Sequence, residues 1–113
     1  MDNCLFCRII KKEIPADIIF ENDNLIIFKD IHPKAPVHLL IVPKKHIASV
    51  NDIVAEDKNI IGEIFLQAKE IAKKLKLDES GYRLIVNTGK NGGQVIFHIH
   101  CHLVGGKLLS LDL

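Results

Sequence analysis

A chain of 113 residues carrying a formal net charge of +1 has the size of one domain, here residues 1–113, and can bury roughly two-thirds of its unfolded surface. The near balance of charge excludes a broad basic face for nucleic acid and an acidic tail for a basic partner, and no apolar run reaches the roughly 20 residues of a membrane helix. Three cysteines, an odd number, and an N-terminus (Met1-Asp2-Asn3-Cys4) without the basic and apolar regions of a signal peptide point to a reducing, cytoplasmic compartment rather than a disulfide framework.

The chain opens on Cys4-Leu5-Phe6-Cys7, in a short helical turn that ends before Pro15. A C-x-x-C pair serves as a redox dithiol, as half of a zinc site, or as two small core residues. No thioredoxin-like βαβ pattern follows, which weakens the redox reading. The zinc reading needs two further ligands, which the histidines further on can supply. Residues 17–21 and 25–29 are strand-like runs around Asn22-Asp23-Asn24 and read as a β-hairpin. Asp30-Ile31-His32-Pro33-Lys34-Ala35-Pro36 is a proline-stiffened loop leaving the second strand. Asp30 suits a turn there, although an acidic side chain at a strand end also suits the two hydroxyls of a ribose. His32 is expected to face solvent. Residues 38–42 form a third strand, begun by His38 and closed by Pro43, with Lys44-Lys45-His46 after it; either histidine alone reads as structural.

One long helix is expected over residues 56–75, where Ile60, Ile61, Ile64, Ala68, Ile71, Ala72 and Leu75 recur at helical spacing. Glu56 and Asp57 in its first turn and Lys73, Lys74 and Lys76 near its end match the helix dipole. Gly81 closes that region, and residues 82–87 are a fourth strand. Thr88-Gly89-Lys90-Asn91-Gly92-Gly93-Gln94 can aim backbone amides at a phosphate. It is no P-loop, because no G-K-[ST] and no helix follow, and it equally fits a plain connection. With a fifth strand at the histidines, the fold class is α+β, an antiparallel sheet with helices packed on one face.

His98-Ile99-His100-Cys101-His102 is where the chemistry concentrates. In a strand all three imidazoles share one face, while Ile99, Cys101 and Leu103 enter the core on the other. His98 and His102 would then lie about 13 Å apart, too far to grip one ion together, so a division of labour is expected. His100, in the middle, is best placed as a nucleophile toward phosphorus. A neutral imidazole attacks when its other nitrogen is held as a donor, and a backbone carbonyl is a ready acceptor. The glycine loop would carry the phosphate charge.

Arranged in this way, the chain resembles the histidine triad (HIT) family. The resemblance rests on His98 through Val104, on the C-x-x-C start, on Asp30-Ile31 with Pro33 and Ala35-Pro36, on His38, on Pro43-Lys44-Lys45-His46 and on residues 87–94. Gly105-Gly106 is similar to the Hint branch. The dinucleoside polyphosphate hydrolase branch usually has a proline-arginine pair there, and the galactose-1-phosphate uridylyltransferase branch has glutamine where His102 stands. The resemblance implies a HIT-like fold: a five-stranded antiparallel sheet with one long helix and a short N-terminal helix, the sheet extended across a homodimer. It implies hydrolysis of purine nucleoside phosphoramidates, with AMP or GMP released through a nucleotidyl-histidine intermediate on His100.

His38 and His102 would be its supporting and phosphate-contacting partners. Asp30 and Ile31 would face the ribose and base, and Asn87 and Gly93 would border the phosphate. Cys4, Cys7, His46 and His98 would hold a structural zinc ion, with no organic cofactor and no nucleic-acid or membrane partner. Three other readings compete: a nucleotide-binding scaffold with weak turnover, a dinucleoside polyphosphate hydrolase, and a metalloenzyme whose His98 and His100 hold a catalytic zinc. Two positions depart from the family pattern. Val95 stands where serine or threonine is usual, and the tail lacks the tryptophan that some Hint proteins lend to the partner's site.

Overall fold

A computed structural model of the chain describes residues 3–112; Met1, Asp2 and Leu113, which belong to the 1–113 domain and in part to the N-terminal reading above, lie outside the described residues. Five strands, β1 (Ile18–Glu21), β2 (Leu25–Lys29), β3 (Val37–Pro43), β4 (Tyr82–Ile85) and β5 (Cys101–Gly105), form one sheet in the order β1-β2-β3-β5-β4. Every neighbouring pair is antiparallel. A short helix, α1 (Leu5–Ile10), precedes the sheet, and the long helix, α2 (Lys58–Lys74), connects β3 to β4.

Local chemistry explains these boundaries. Asn22 turns the first hairpin by accepting the N–H groups of Asn24 and Leu25 on its Oδ1, at 2.9 and 2.8 Å, the side-chain mimicry that makes asparagine a turn residue. α2 begins two residues later than its sequence pattern suggested, after a 3-10 turn over Ala55–Asp57. Buried Asp57 accepts the N–H of Val54 there and pairs with Lys45.

Helices cover both faces of the sheet, which corrects the expectation of cover on one. Leu25, Ile27, Leu39 and Ile41 pack against Ile64, Ala68, Ile71 and Ala72 of α2. On the other face Ile26, Phe28, Leu40 and Val42 pack against Phe6 and Ile9 of α1. The unbroken apolar runs of β2 and β3 have no polar side to turn to water, so each face requires a layer.

The histidine strand is also shorter than expected. Its pairing begins at Cys101, opposite Ile41, so His98 and His100 precede β5 in an irregular segment. Continuing the register would set Ile99 against Pro43, the last residue of β3, which has no N–H to give. The N–H of Ile99 bonds instead to the carbonyl of Ile47, at 2.6 Å. Within β5 the alternation holds: Cys101 and Leu103 enter the core under α2, while His102 and Val104 line a cleft.

Leu103 is fully buried in that core. Leu103→Ala should lower the unfolding free energy by about 2–5 kcal/mol, read from urea denaturation; a loss under about 1 kcal/mol would contradict this packing.

Candidate active site and metal centre

Four donor atoms converge where α1, the segment after β3 and the segment before β5 meet. Nδ1 of His98 lies 3.4 Å from Cys4 Sγ, 3.5 Å from Cys7 Sγ and 3.1 Å from His46 Nδ1, and His46 Nδ1 lies 3.3 Å from Cys7 Sγ. Tetrahedral zinc, with Zn–S about 2.3 Å and Zn–N about 2.0–2.1 Å, sets nitrogen and sulfur about 3.5 Å apart and two nitrogens about 3.3 Å apart. The observed edges lie within about 0.3 Å of these values. Nε2–H of His98 donates to the carbonyl of Pro43 at 2.7 Å, so the ring's lone pair belongs to Nδ1, toward the cysteines. Burial holds the His98 pKa down to about 4, so the ring is neutral. Burial and the adjacent Cys4 push the Cys7 thiol up, and a bound cation is the partner that favours thiolates in such a pocket. A cavity of about 340 Å³ reaches Cys4 and His46 and gives an ion a way in.

His100 faces the other way. Its Nδ1–H donates to the carbonyl of His98 at 2.8 Å. A carbonyl only accepts, so the neutral ring carries its proton on Nδ1 and keeps the lone pair on Nε2. Burial lowers the His100 pKa as well. Phe6 meets the ring edge-on, with centroids 5.0 Å apart and planes at 89°.

A second set of bonds fixes His102. The backbone N–H of Lys34 donates to Nδ1 of His38 at 3.0 Å. The proton of neutral His38 is therefore on Nε2, which donates to His102 Nδ1 at 3.0 Å and lies 3.4 Å from Asp30 Oδ2. His102 in turn carries its own proton on Nε2. The rings of His100 and His102 are 5.0 Å apart and both line the cleft, which thus holds one imidazole acceptor beside one imidazole donor. Asp30, His38 and His102 are close enough to grip an ion, but the Lys34 bond leaves His38 no lone pair to offer it. A catalytic metal shared by His98 and His100 fails on similar ground, since the free nitrogen of His98 faces the cysteines.

The cleft measures about 830 Å³, within the span of small-molecule sites. Phe6, Ile9, Phe28 and Leu40 form an apolar part, and Asp30, His38, Arg83, Asn87 and the two histidines are among the polar residues that line the rest. Asp30 fulfils its turn reading too, accepting the N–H of His32 at 2.8 Å, and His32 is exposed as expected. Ile31 and Val95, each 84% exposed, stand at the rim. Asn87 Nδ2 donates to the carbonyl of Gly92 at 2.8 Å and closes the glycine loop. A Cβ at Gly92 would sit 2.2 Å from the carbonyl oxygen of Thr88, so that turn admits only glycine.

Every residue singled out from the sequence falls into one of these two groups. Asp30, Ile31, His38, Asn87, Gly93, His100 and His102 line the cleft, and Cys4, Cys7, His46 and His98 form the cluster. Sequence reasoning passed over Phe6 and Gln94. Phe6 had only its place between the cysteines to mark it. Gln94 is buried and bonds to Ala48, Ile96 and Gly89, and nothing in its local sequence signals that.

Comparison with known proteins gives the class. The HIT domain family model matches residues 11–108. HitA of Neisseria gonorrhoeae is 46% identical over 105 residues, 93% of this chain and 97% of that protein. The purine nucleoside phosphoramidase of Escherichia coli (strain K12) is 44% identical over 109 residues, 96% of this chain and 92% of that protein. The crystal structure of a HIT family hydrolase from Legionella pneumophila Philadelphia 1 superposes with a TM-score of 0.95 at 49% identity, covering 96% of this chain and 97% of that one. The chain belongs to the histidine triad (HIT) family. Among the described residues, no helix is long and apolar enough to cross a membrane.

His38 and His102 are held below the usual histidine value, His102 at about 4, chiefly by burial. Between about pH 6.5 and 4 the unfolded chain therefore binds more protons than the folded one. Their contribution to stability is complete above pH 6.5 and is lost as the pH falls through that window. Urea midpoints at fixed ionic strength should drop between pH 7 and 4.5, and less so for His102→Gln. A flat profile, or an unchanged slope in the variant, would contradict the burial of neutral rings.

Proposed function

We propose that this protein is a nucleotidyl hydrolase that cleaves the P–N bond of purine nucleoside 5′-phosphoramidates and releases AMP or GMP. The observation that carries the proposal is the 2.8 Å bond from His100 Nδ1 to the His98 carbonyl, which leaves Nε2 of a neutral imidazole free to attack. The name of the Escherichia coli relative, purine nucleoside phosphoramidase, supplies the reaction class.

His100 Nε2 attacks phosphorus, the P–N bond breaks, and its electron pair leaves with the amine, which takes up a proton. Water then attacks the nucleotidyl-His100 phosphorus and expels the imidazole, giving the 5′-monophosphate. His102 Nε2–H donates to a phosphoryl oxygen as charge develops, and His38 with Asp30 keeps His102 in that tautomer. The base lies among Phe6, Ile9, Phe28 and Leu40, the ribose hydroxyls meet Asp30 beside Ile31, and Asn87 and Gly93 border the phosphate.

Cys4, Cys7, His46 and His98 are the ligands of a structural zinc ion, a reading supported by their donor spacing. Four protein ligands leave it no open position, so what it supplies is a cross-link. Reduced cysteine ligands suit the cytoplasm. The edge strand β4, and exposed Phe65, Leu66 and Val86, support a homodimer in which two sheets join.

Val95 favours a second reading, a nucleotide-binding protein with weak turnover, because it brings no hydroxyl to the rim. One missing hydrogen bond to a charged group is worth about 1.5–3 kcal/mol, or one to two decades in rate.

Single-turnover hydrolysis of adenosine 5′-phosphoramidate, with the acid-labile adenylyl-protein trapped and mapped, decides between them. The proposal expects label on His100, and loss of both label and at least about 10³-fold in kcat in His100→Ala. AMP binding without turnover or label would establish the binding protein. Undiminished turnover in His100→Ala would remove the covalent route.

A further inference from the structure

The metal pocket and the glycine loop share no side chain, yet hydrogen bonds through one buried amide join them. The segment that carries His46 is fixed along its length. Lys45 pairs with Asp57, and Ser49 Oγ donates to Asp52 Oδ2 at 2.8 Å. The carbonyl of Ile47 accepts the N–H of Ile99, beside His98. The next carbonyl, that of Ala48, accepts Gln94 Nε2–H at 2.7 Å.

Gln94 is only 6% exposed, and all of its amide is committed. Its second Nε2 hydrogen goes to the carbonyl of Ile96 at 3.0 Å, and its Oε1 accepts the N–H of Gly89 at 2.9 Å. The backbone N–H of Gln94 closes the loop on the carbonyl of Gly89 at 3.0 Å, and that of Gly93 bonds to the carbonyl of Lys90 at 3.1 Å. One side chain thus ties the segment of a metal-cluster residue to the start of the loop whose far end lines the cleft.

We propose that Gln94 is a positioning residue that couples metal binding at Cys4, Cys7, His46 and His98 to the order of the glycine loop, so that the zinc-loaded protein binds a nucleotide 5′-phosphate more tightly than the zinc-free one. The proposal rests on the reading of that loop as the phosphate site. A loop with Gly89, Gly92 and Gly93 in seven residues is entropically costly to order. When the metal adds His46 itself to these ties, the segment stiffens further, the Ala48 carbonyl holds Gln94 in place and Gln94 holds the loop. Phosphate then meets a loop already ordered, and the ordering cost no longer falls on the binding step. Linkage is reciprocal, so bound nucleotide must tighten zinc by the same factor that zinc tightens nucleotide.

The test compares the full chain with and without zinc, using AMP as the probe, and repeats the comparison in Gln94→Met. Amide hydrogen exchange at Gly93 and residue 94 reports loop order without any nucleotide. Calorimetry gives the AMP affinity, and chelator competition gives the zinc affinity with and without AMP. In the natural chain, zinc should slow both amides by about tenfold and tighten AMP by about fivefold or more, with the same factor returned by AMP on zinc. In Gln94→Met, zinc still binds at one ion per chain and both effects fall below about twofold.

Exchange that zinc leaves unchanged in the natural chain overturns the proposal, and this comparison stands even if the variant does not fold. Coupling that persists undiminished in Gln94→Met, or a chain that takes up no zinc, overturns it equally. Absence of AMP binding in every form would overturn the phosphate reading alone, because the exchange rates decide the metal-to-loop coupling by themselves.

Discussion

The hydrogen bond from His100 Nδ1 to the His98 carbonyl is as well placed as His98 itself, and His98 is held from two sides. Its Nε2 donates to the carbonyl of Pro43 and its Nδ1 points into the cysteine cluster, with no part of the residue exposed. Pro43 ends β3, so the anchor of His98 is the end of a central strand. One residue thereby serves two pockets, giving its ring to the cluster and its main chain to the cleft. A change that loosened the cluster would remove one of the two anchors of the residue whose carbonyl defines the tautomer of His100.

Burial gives the cleft its electrostatic character. Three imidazoles form a row centred on His102, with ring centroids of 5.2 Å between His38 and His102 and 5.0 Å between His102 and His100. Protonating one would disfavour protonating the next. Desolvation keeps His100 and His102 neutral near pH 7, and the backbone decides where each single proton sits. The Lys34 N–H sets it for His38, His38 sets it for His102, and the His98 carbonyl sets it for His100. Neutral rings with assigned tautomers place a bare nitrogen and a donor side by side, which three charged rings could not.

Much of this was legible in the sequence because period and residue type agreed. Leu25 to Lys29 and the helical recurrence of Ile64, Ala68, Ile71 and Ala72 located the sheet and its long helix. The spacing of His98, His100 and His102 announced a division of labour among the three, and the family resemblance placed His98 with the cysteines and His100 in the cleft. What the pattern did not yield depended on the third dimension. β5 starts at Cys101 because Pro43, 58 residues earlier in the chain, cannot donate across the sheet. The apolar runs of β2 and β3 told of burial without telling that α1 would cover the second face. Gln94 looked like the end of a loop, because its partners at Ala48 and Ile96 are set by tertiary folding. The role of His38 as a relay likewise depends on a backbone N–H that no side-chain pattern records.

Nitrogen-15 spectra of the histidine rings at neutral pH test the central claim most directly, because they report which nitrogen of His100 carries the proton. The account predicts a neutral His100 with Nδ1 protonated and Nε2 bare, beside a neutral His102 protonated on Nε2. A His100 protonated on Nε2, or charged at pH 7, would have no lone pair to direct at phosphorus and would contradict the account.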